Sequence, residues 1–221
     1  MPYIGYWQLL AAVNTYVVYD NIQYTKKGWI NRNRILLNGK DEYITIPLRK
    51  DSDYLNVDQR YLSDTFDRNK LLHQIVGAYH KAPYFRTFYP IVEDIINYAG
   101  NNLFQYLFHS IQSIKDILQI NTNIVISSTI DIDHSLKGKD KVLALCKALK
   151  ADTYINAIGG QELYDKDEFS QNIVDLHFLQ TNKIEYPQFH NPFVPNLSII
   201  DVLMFNSPEQ TKELLTQYAL I

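Results

Sequence analysis

Apolar positions change their spacing along the chain, and each spacing predicts a different element. A short apolar run from Tyr3 to Val13 places Leu9, Leu10 and Val13 together, which predicts a helix. "TYVVYD" follows, a β-branched and aromatic run suited to a buried strand ending at Asp20. After a polar loop, "RILLNGKDEYITIPL" predicts a β-hairpin. Its Asn38-Gly39 pair supplies the residues that tolerate positive φ in a type I′ turn. From Asp64 to about Leu118 the period turns helical. "DTFDRNKLLHQIVGAYHKA", "FYPIVEDIINYAG" and "NNLFQYLFHSIQSIKDIL" predict consecutive helices, the last with Leu103, Tyr106, Leu107, Ile111, Ile114 and Leu118 in a stripe.

Beyond this segment, strands and helices alternate. "NIVISSTI" reads as a strand, "KGKDKVLALCKALKA" as a helix, "DTYINAI" as a strand before Gly159-Gly160, and "IVDLHFL" as another strand. Strand–helix–strand at this spacing predicts parallel pairing. In "SPEQTKELLTQYAL", Ser207, Pro208 and Gln210 mark a capped helix start. The expected fold is therefore α/β: one domain over residues 1–221, with a mostly parallel Rossmann-like sheet, a β-hairpin and a helical subdomain inserted at about 64–120.

Composition narrows the classes. The formal net charge is -3, which argues against nucleic acid or a membrane surface as a general partner. No apolar run approaches the ~20 residues needed to cross a bilayer, and no basic segment precedes an apolar one as in a signal peptide. The single cysteine, Cys146, fits a reducing cytoplasm. It shares a helical face with Val142, Leu145 and Leu149, which marks it as core. Neither a metal-ligand spacing nor a dinucleotide or phosphate-loop fingerprint is present, so no metal and no cofactor are expected.

The polar loop departs from the mild overall charge. "YDNIQYTKKGWINRNRI" gathers Lys26, Lys27, Arg32 and Arg34 around Asp20, with Trp29 among them. It follows the C-terminal end of a predicted strand, where open α/β sheets bind ligands. Arginine forks and mobile ammonium groups there suit a phosphate or carboxylate. Gln23, Asn31 and Asn33 supply hydrogen-bonding amides, and Trp29 a flat face. The alternative is a solvated loop entering an edge hairpin, where lysines oppose aggregation. Gly159 and Gly160 either bring backbone N–H groups to a ligand or make a plain turn. His80 ends a helix beside Lys81; it is a helix-end cation or a proton carrier. His73 and His109 sit inside helices and read as structural. The proline-rich "YPQFHNPFVPNLSIIDVLMFN" clamps Gln188 near a pocket or simply leads into a helix capped by Ser198.

Two resemblances follow. "VISSTIDI" is similar to the serine-rich phosphate-contacting stretch of nucleotidylyltransferases, and "PYIGY" to their H-x-G-H region. Tyr3 and Tyr6 stand near where the histidines would be, which argues against adenylyl transfer by that mechanism. More extensively, "PYIGYWQLLAAV", "YVVYDNIQYTKKGWINRNRI", "AYHKAPYF", "ADTYINAIGGQELY" and "NLSIIDVLMFN" together resemble the WbqC-like family over nearly the whole chain. The family's loop pattern falls on Asp20, Gln23, Lys26, Trp29, Asn31, Arg32 and Asn33; its usual second acidic residue is Asn21 here. Members typically carry a strand and a Gln-Pro-Tyr stretch before the segment matching Pro2-Tyr3, an expectation this sequence does not meet.

The resemblance implies a cytoplasmic protein of bacterial surface-polysaccharide (O-antigen-type) biosynthesis. The expected activity is a transferase adding an acyl or aminoacyl group to an activated amino sugar. Its partners would then be small molecules, an activated sugar and an acyl or aminoacyl donor. Asp20, Lys26 and His80 are the candidate catalytic residues; Gln23, Trp29, Asn31, Arg32, Asn33, Gly159, Gly160 and Gln188 are the candidate ligand-binding residues. The alternative is a non-catalytic binding or scaffold protein of the same pathway.

Overall fold

The computed structural model describes residues 1–221. Helix α1 (Ile4–Ala11) leads into strand β1 (Thr15–Val18). The hairpin forms as expected from β2 (Arg32–Leu37) and β3 (Lys40–Thr45), with Asn38 at φ 52° and Gly39 at φ 75° in its turn. Three helices follow: α2 (Arg68–Tyr79), α3 (Phe85–Asn97) and α4 (Leu103–Ile117). Asp67 and Asn102 cap α2 and α4 by accepting from backbone N–H groups of their first turns. Then come β4 (Asn123–Ile126), α5 (Gly138–Leu149), β5 (Thr153–Ala157), α6 (Lys166–Gln171), β6 (Asp175–Thr181), α7 (Ile199–Phe205), α8 (Pro208–Leu215) and β7 (Tyr218–Leu220). The Ser207–Gln210 capping box is present at α8.

The strand–helix–strand pattern predicted β4 and β5 as parallel neighbours, but they lie in different sheets: β4 pairs in parallel with β1, and β5 with β6. The strands do not join into one Rossmann-like sheet. They form separate sheets, β1-β4, β2-β3 and β5-β6-β7, the last with an antiparallel edge. β1 and β5 each keep one edge without a strand partner, and α1 packs beside β5 and β6. Periodicity predicts that a segment is a strand; which edges meet depends on contacts remote in sequence.

The interior divides in the same way. A core of 36 buried residues joins α1, the hairpin, α2–α4, α7 and α8. Trp7, Leu10, Ile75, Val92, Leu103, Ile114 and Met204 are fully buried within it. Burial of side chains this large contributes roughly 1.5–3 kcal/mol each. A second core of 6 residues, Cys146 among them, fills the space between α5, α6, β5 and β6.

The segment before α1 is held by this packing. The Met1 carbonyl accepts from Asn33 Nδ2 at 2.8 Å and Ser198 Oγ at 2.9 Å, and the Pro2 carbonyl accepts from Ile199 N at 2.8 Å. Burial lowers the Met1 amine to about 6. No helix is long and apolar enough to cross a membrane.

Candidate functional site

Register on the β1-β4 pair sets the site. Val18 lies opposite Ile126, so the segments leaving both strands, Tyr19-Asp20-Asn21 and Ser127-Ser128-Thr129, run out side by side. Asp20 is buried and has two fixed donors. Its Oδ1 accepts from the Ser128 amide at 3.0 Å, and its Oδ2 accepts from the Ser128 hydroxyl. Backbone bonding then brings in a second acid, because Asp58 N donates to the Asp20 carbonyl at 3.1 Å. Asp58 Oδ1 is sealed from solvent with no hydrogen-bond partner. Desolvation, and next the Asp20 charge, raise the Asp58 pKa above the ordinary carboxylate value.

Next to this acidic pair, Asn21 organises a polar cluster. Its Oδ1 accepts from Ser127 Oγ at 2.9 Å and from Lys141 Nζ at 3.1 Å, and its Nδ2 lies 3.0 Å from His134 Nδ1. His134 Nε2 lies 3.0 Å from the Ile130 carbonyl, which requires that nitrogen to carry the proton. Nδ1 is then the acceptor, and the Asn21 amide has one consistent orientation. The Lys141 ammonium also lies 5.4 Å from the centroid of the Tyr19 ring.

Tyr19 connects the cluster to a cleft of about 720 Å³. One wall is β1 and its exit, from Tyr16 to Tyr19 with Ile22; the others are Met1–Tyr3, the four residues Trp29, Ile30, Asn33 and Arg34, and the inner face of α4. Most of the lining is apolar or aromatic, with Asn33, Arg34, Ser110 and Asn196 as polar groups, a composition typical of small-molecule clefts. Burial pushes the Tyr16 and Tyr19 hydroxyls up to about 12, so both stay protonated at neutral pH. At the mouth, Trp29 and Tyr43 stack with centroids 6.0 Å apart, and Arg32 and Arg34 lie over the Trp29 ring at 5.7 and 5.5 Å. Arg34 Nη1 pairs with Asp41 at 2.8 Å, while its buried Nε has no partner.

The sequence-predicted residues divide sharply. Trp29 and Asn33 line the cleft, and Asp20 stands just past its Tyr19 wall. Arg32 holds its own loop instead, donating to the Gly28 carbonyl at 3.0 Å and the Lys27 carbonyl at 2.5 Å. Asn31 braces the same loop between the Tyr24 hydroxyl and the Ile46 carbonyl, each at 2.8 Å. Lys26 points outward to Asp53 at 2.9 Å, and Gln23 donates to the Asp53 carbonyl at 2.9 Å. His80 is exposed at the end of α2, its Nδ1 3.0 Å from the Val76 carbonyl, and does not line the cleft.

Gly159 and Gly160 begin a 3-10 turn after β5. A Cβ on Gly160 would press on the end of the Asn156 side chain, which would have to move, whereas Gly159 faces open space. Gln188 belongs to a different cluster. It is buried against Asp201 Oδ2 at 2.6 Å and clamps Val194 through both its N–H and its C=O.

Sequence reasoning missed Asp58, Asn21, Lys141 and the role of Arg34 beside Arg32. For Lys141 a signal existed: it precedes Leu145 by one turn on the buried face of α5, where a lysine needs a reason. Ser127 and Ser128 carried a signal too, in the serine-rich "VISSTIDI". Nothing local marks Asp58.

The WbqC-like protein family matches residues 1–213. The chain is also 27% identical over 213 residues to Uncharacterized protein Rv1507c of Mycobacterium tuberculosis, covering 93% of this chain and 89% of that protein. No solved structure matches it. With its family match running almost end to end, the chain belongs to the WbqC-like protein family.

Proposed function

We propose that the chain is a transferase of bacterial surface-polysaccharide (O-antigen-type) assembly, adding an acyl or aminoacyl group to an activated amino sugar in the cleft. The carrying observation is the cleft itself: an aromatic cavity of about 720 Å³ lined by Tyr19 and Val57, the chain neighbours of Asp20 and Asp58, whose carboxyl groups lie just outside the lining. Trp29 would stack on a ring, and Arg34 would hold a phosphate or carboxylate. In the transfer the amine nitrogen attacks the acyl carbonyl, the carbon–leaving-group bond breaks, and the nitrogen loses a proton. Asp20, fixed by Ser128, would orient the amine. Asp58, with its raised proton affinity, is suited to receive the proton. Family membership supports the pathway, and the lone buried Cys146 fits a reducing cytoplasm.

Calorimetry against nucleotide-linked amino sugars and acyl or aminoacyl donors tests this reading. Binding that weakens roughly tenfold in Arg34→Ala, with turnover lost in Asp58→Asn, supports it. No binding to any member of the panel overturns it. A scaffold reading draws on one observation: Trp29 and Tyr43 are 55% and 52% exposed, as interface anchors would be. Absence of turnover in the parent chain together with loss of partner capture in Trp29→Ala would favour the scaffold.

A further inference from the structure

Lys141 is 7% exposed, yet it forms no ion pair. Its hydrogen-bond partner is the neutral amide oxygen of Asn21, and a second side of the ammonium faces the Tyr19 ring. An ammonium has three N–H donors, and a buried one without an anion is costly. Its neighbour Lys139 differs: it reaches Glu168 at 2.6 Å on the surface. Asp20 forms no ion pair with Lys141; its carboxylate oxygens instead accept from the Ser128 amide and hydroxyl.

The surroundings of Lys141 are rich in donors. Helix α5 spans 12 residues and starts at Lys137 with no side-chain cap, so its first-turn N–H groups lack a side-chain acceptor. Lys141 lies in that first stretch, and helical side chains lean toward the N-terminus. Ser127 adds a hydroxyl whose bond to Asn21 can be exchanged for one to a ligand. From these we infer that Lys141, Ser127 and the start of α5 form a binding site for a phosphate-type oxyanion, beyond the Tyr19 wall of the cleft. An anion there would supply the missing counter-charge and accept from the uncapped helix start. The site does not depend on acyl transfer: a scaffold holding a phosphorylated precursor would use it equally.

Thermal-shift and calorimetric titration of the full chain with inorganic phosphate test the inference, with a sugar 1-phosphate and a nucleoside diphosphate as further arms. Saturable binding of inorganic phosphate is expected, weakened about tenfold or more in Lys141→Met. Lys147→Ala, which removes an exposed charge from the far end of the same helix, should leave it unchanged. Asn21→Asp retains Lys141 but gives it an internal carboxylate; that variant should fold, melt no lower than the parent and lose phosphate binding. Tighter binding of one organic phosphate identifies the source of the group. Equal phosphate affinity in the parent, Lys141→Met and Asn21→Asp, or no saturable binding by the parent in any arm, overturns the assignment. Neither result bears on Arg34 or Asp58, so the transfer reading stands or falls separately.

Discussion

The Tyr79 hydroxyl donates to Asp201 Oδ1 at 2.9 Å while accepting from the Leu36 amide at 2.9 Å, linking helices α2 and α7 through the hairpin. Tyr186 donates to Asp201 Oδ2 at 2.7 Å, and Gln188 completes the set. Tyr79, Gln188 and Asp201 are buried and Tyr186 is half-buried against the large core, so the cluster is structural glue at the base of the hairpin that carries Asn33 and Arg34. Tyr79→Phe leaves the Leu36 N–H without its partner and removes a donor from a buried carboxylate. The expected loss is about 1–3 kcal/mol, read by urea unfolding at neutral pH.

The same cluster makes stability depend on pH. Burial raises Asp201 from 3.8 to about 6, against the opposing hydrogen bonds from Tyr186, Gln188 and Tyr79. Folded protein therefore holds this proton more tightly than unfolded protein does. The associated stabilisation is complete below 3.8 and is lost as pH rises through about 6. A rise of that size corresponds to about 3 kcal/mol at most. Unfolding curves between pH 4 and 7 should show this downward contribution, and Asp201→Asn should remove it.

Trp29 separates binding from folding. It is 55% exposed and packs chiefly on Tyr43 and two arginines. Trp29→Ala should cost below about 1 kcal/mol of stability while weakening ligand binding in the cleft by about tenfold. Paired denaturation and calorimetry distinguish the two effects. An equal loss of fold and binding would make the indole a packing residue.

Cys146 supplies a probe of the small core. Its thiol is 5% exposed, and burial pushes its pKa up to about 11. Reaction with a thiol reagent at neutral pH should be slow in the native state and track opening of the α5–α6 region. Fast stoichiometric labelling of folded protein would show that this core is not closed.

Much of the local structure was legible in the residue order. Asn38-Gly39, Ser207-Pro208 and the Leu103–Leu118 stripe act through neighbours one to four positions away, and the turn, cap and helix all formed. Trp29 and Asn33 also fell at a concave surface, because a loop following a strand end has few other places to go. The chain's own residues misled where alternatives compete. Arg32 met its loop carbonyls and Lys26 met Asp53, partners that composition cannot rank against a ligand.

Amino-acid order by itself determined most of the elements with their caps and turns, and the family, since these rest on short-range sterics and periodic burial; helix α6 and the closing strand β7 were not legible in it. Tertiary structure alone decided that Asp58 joins Asp20, that the parallel pairs remain separate sheets, and that Lys141 reaches Asn21 across 120 positions of chain. Strand register and the desolvation of charge arise from packing between distant segments, and local spacing carries no record of either.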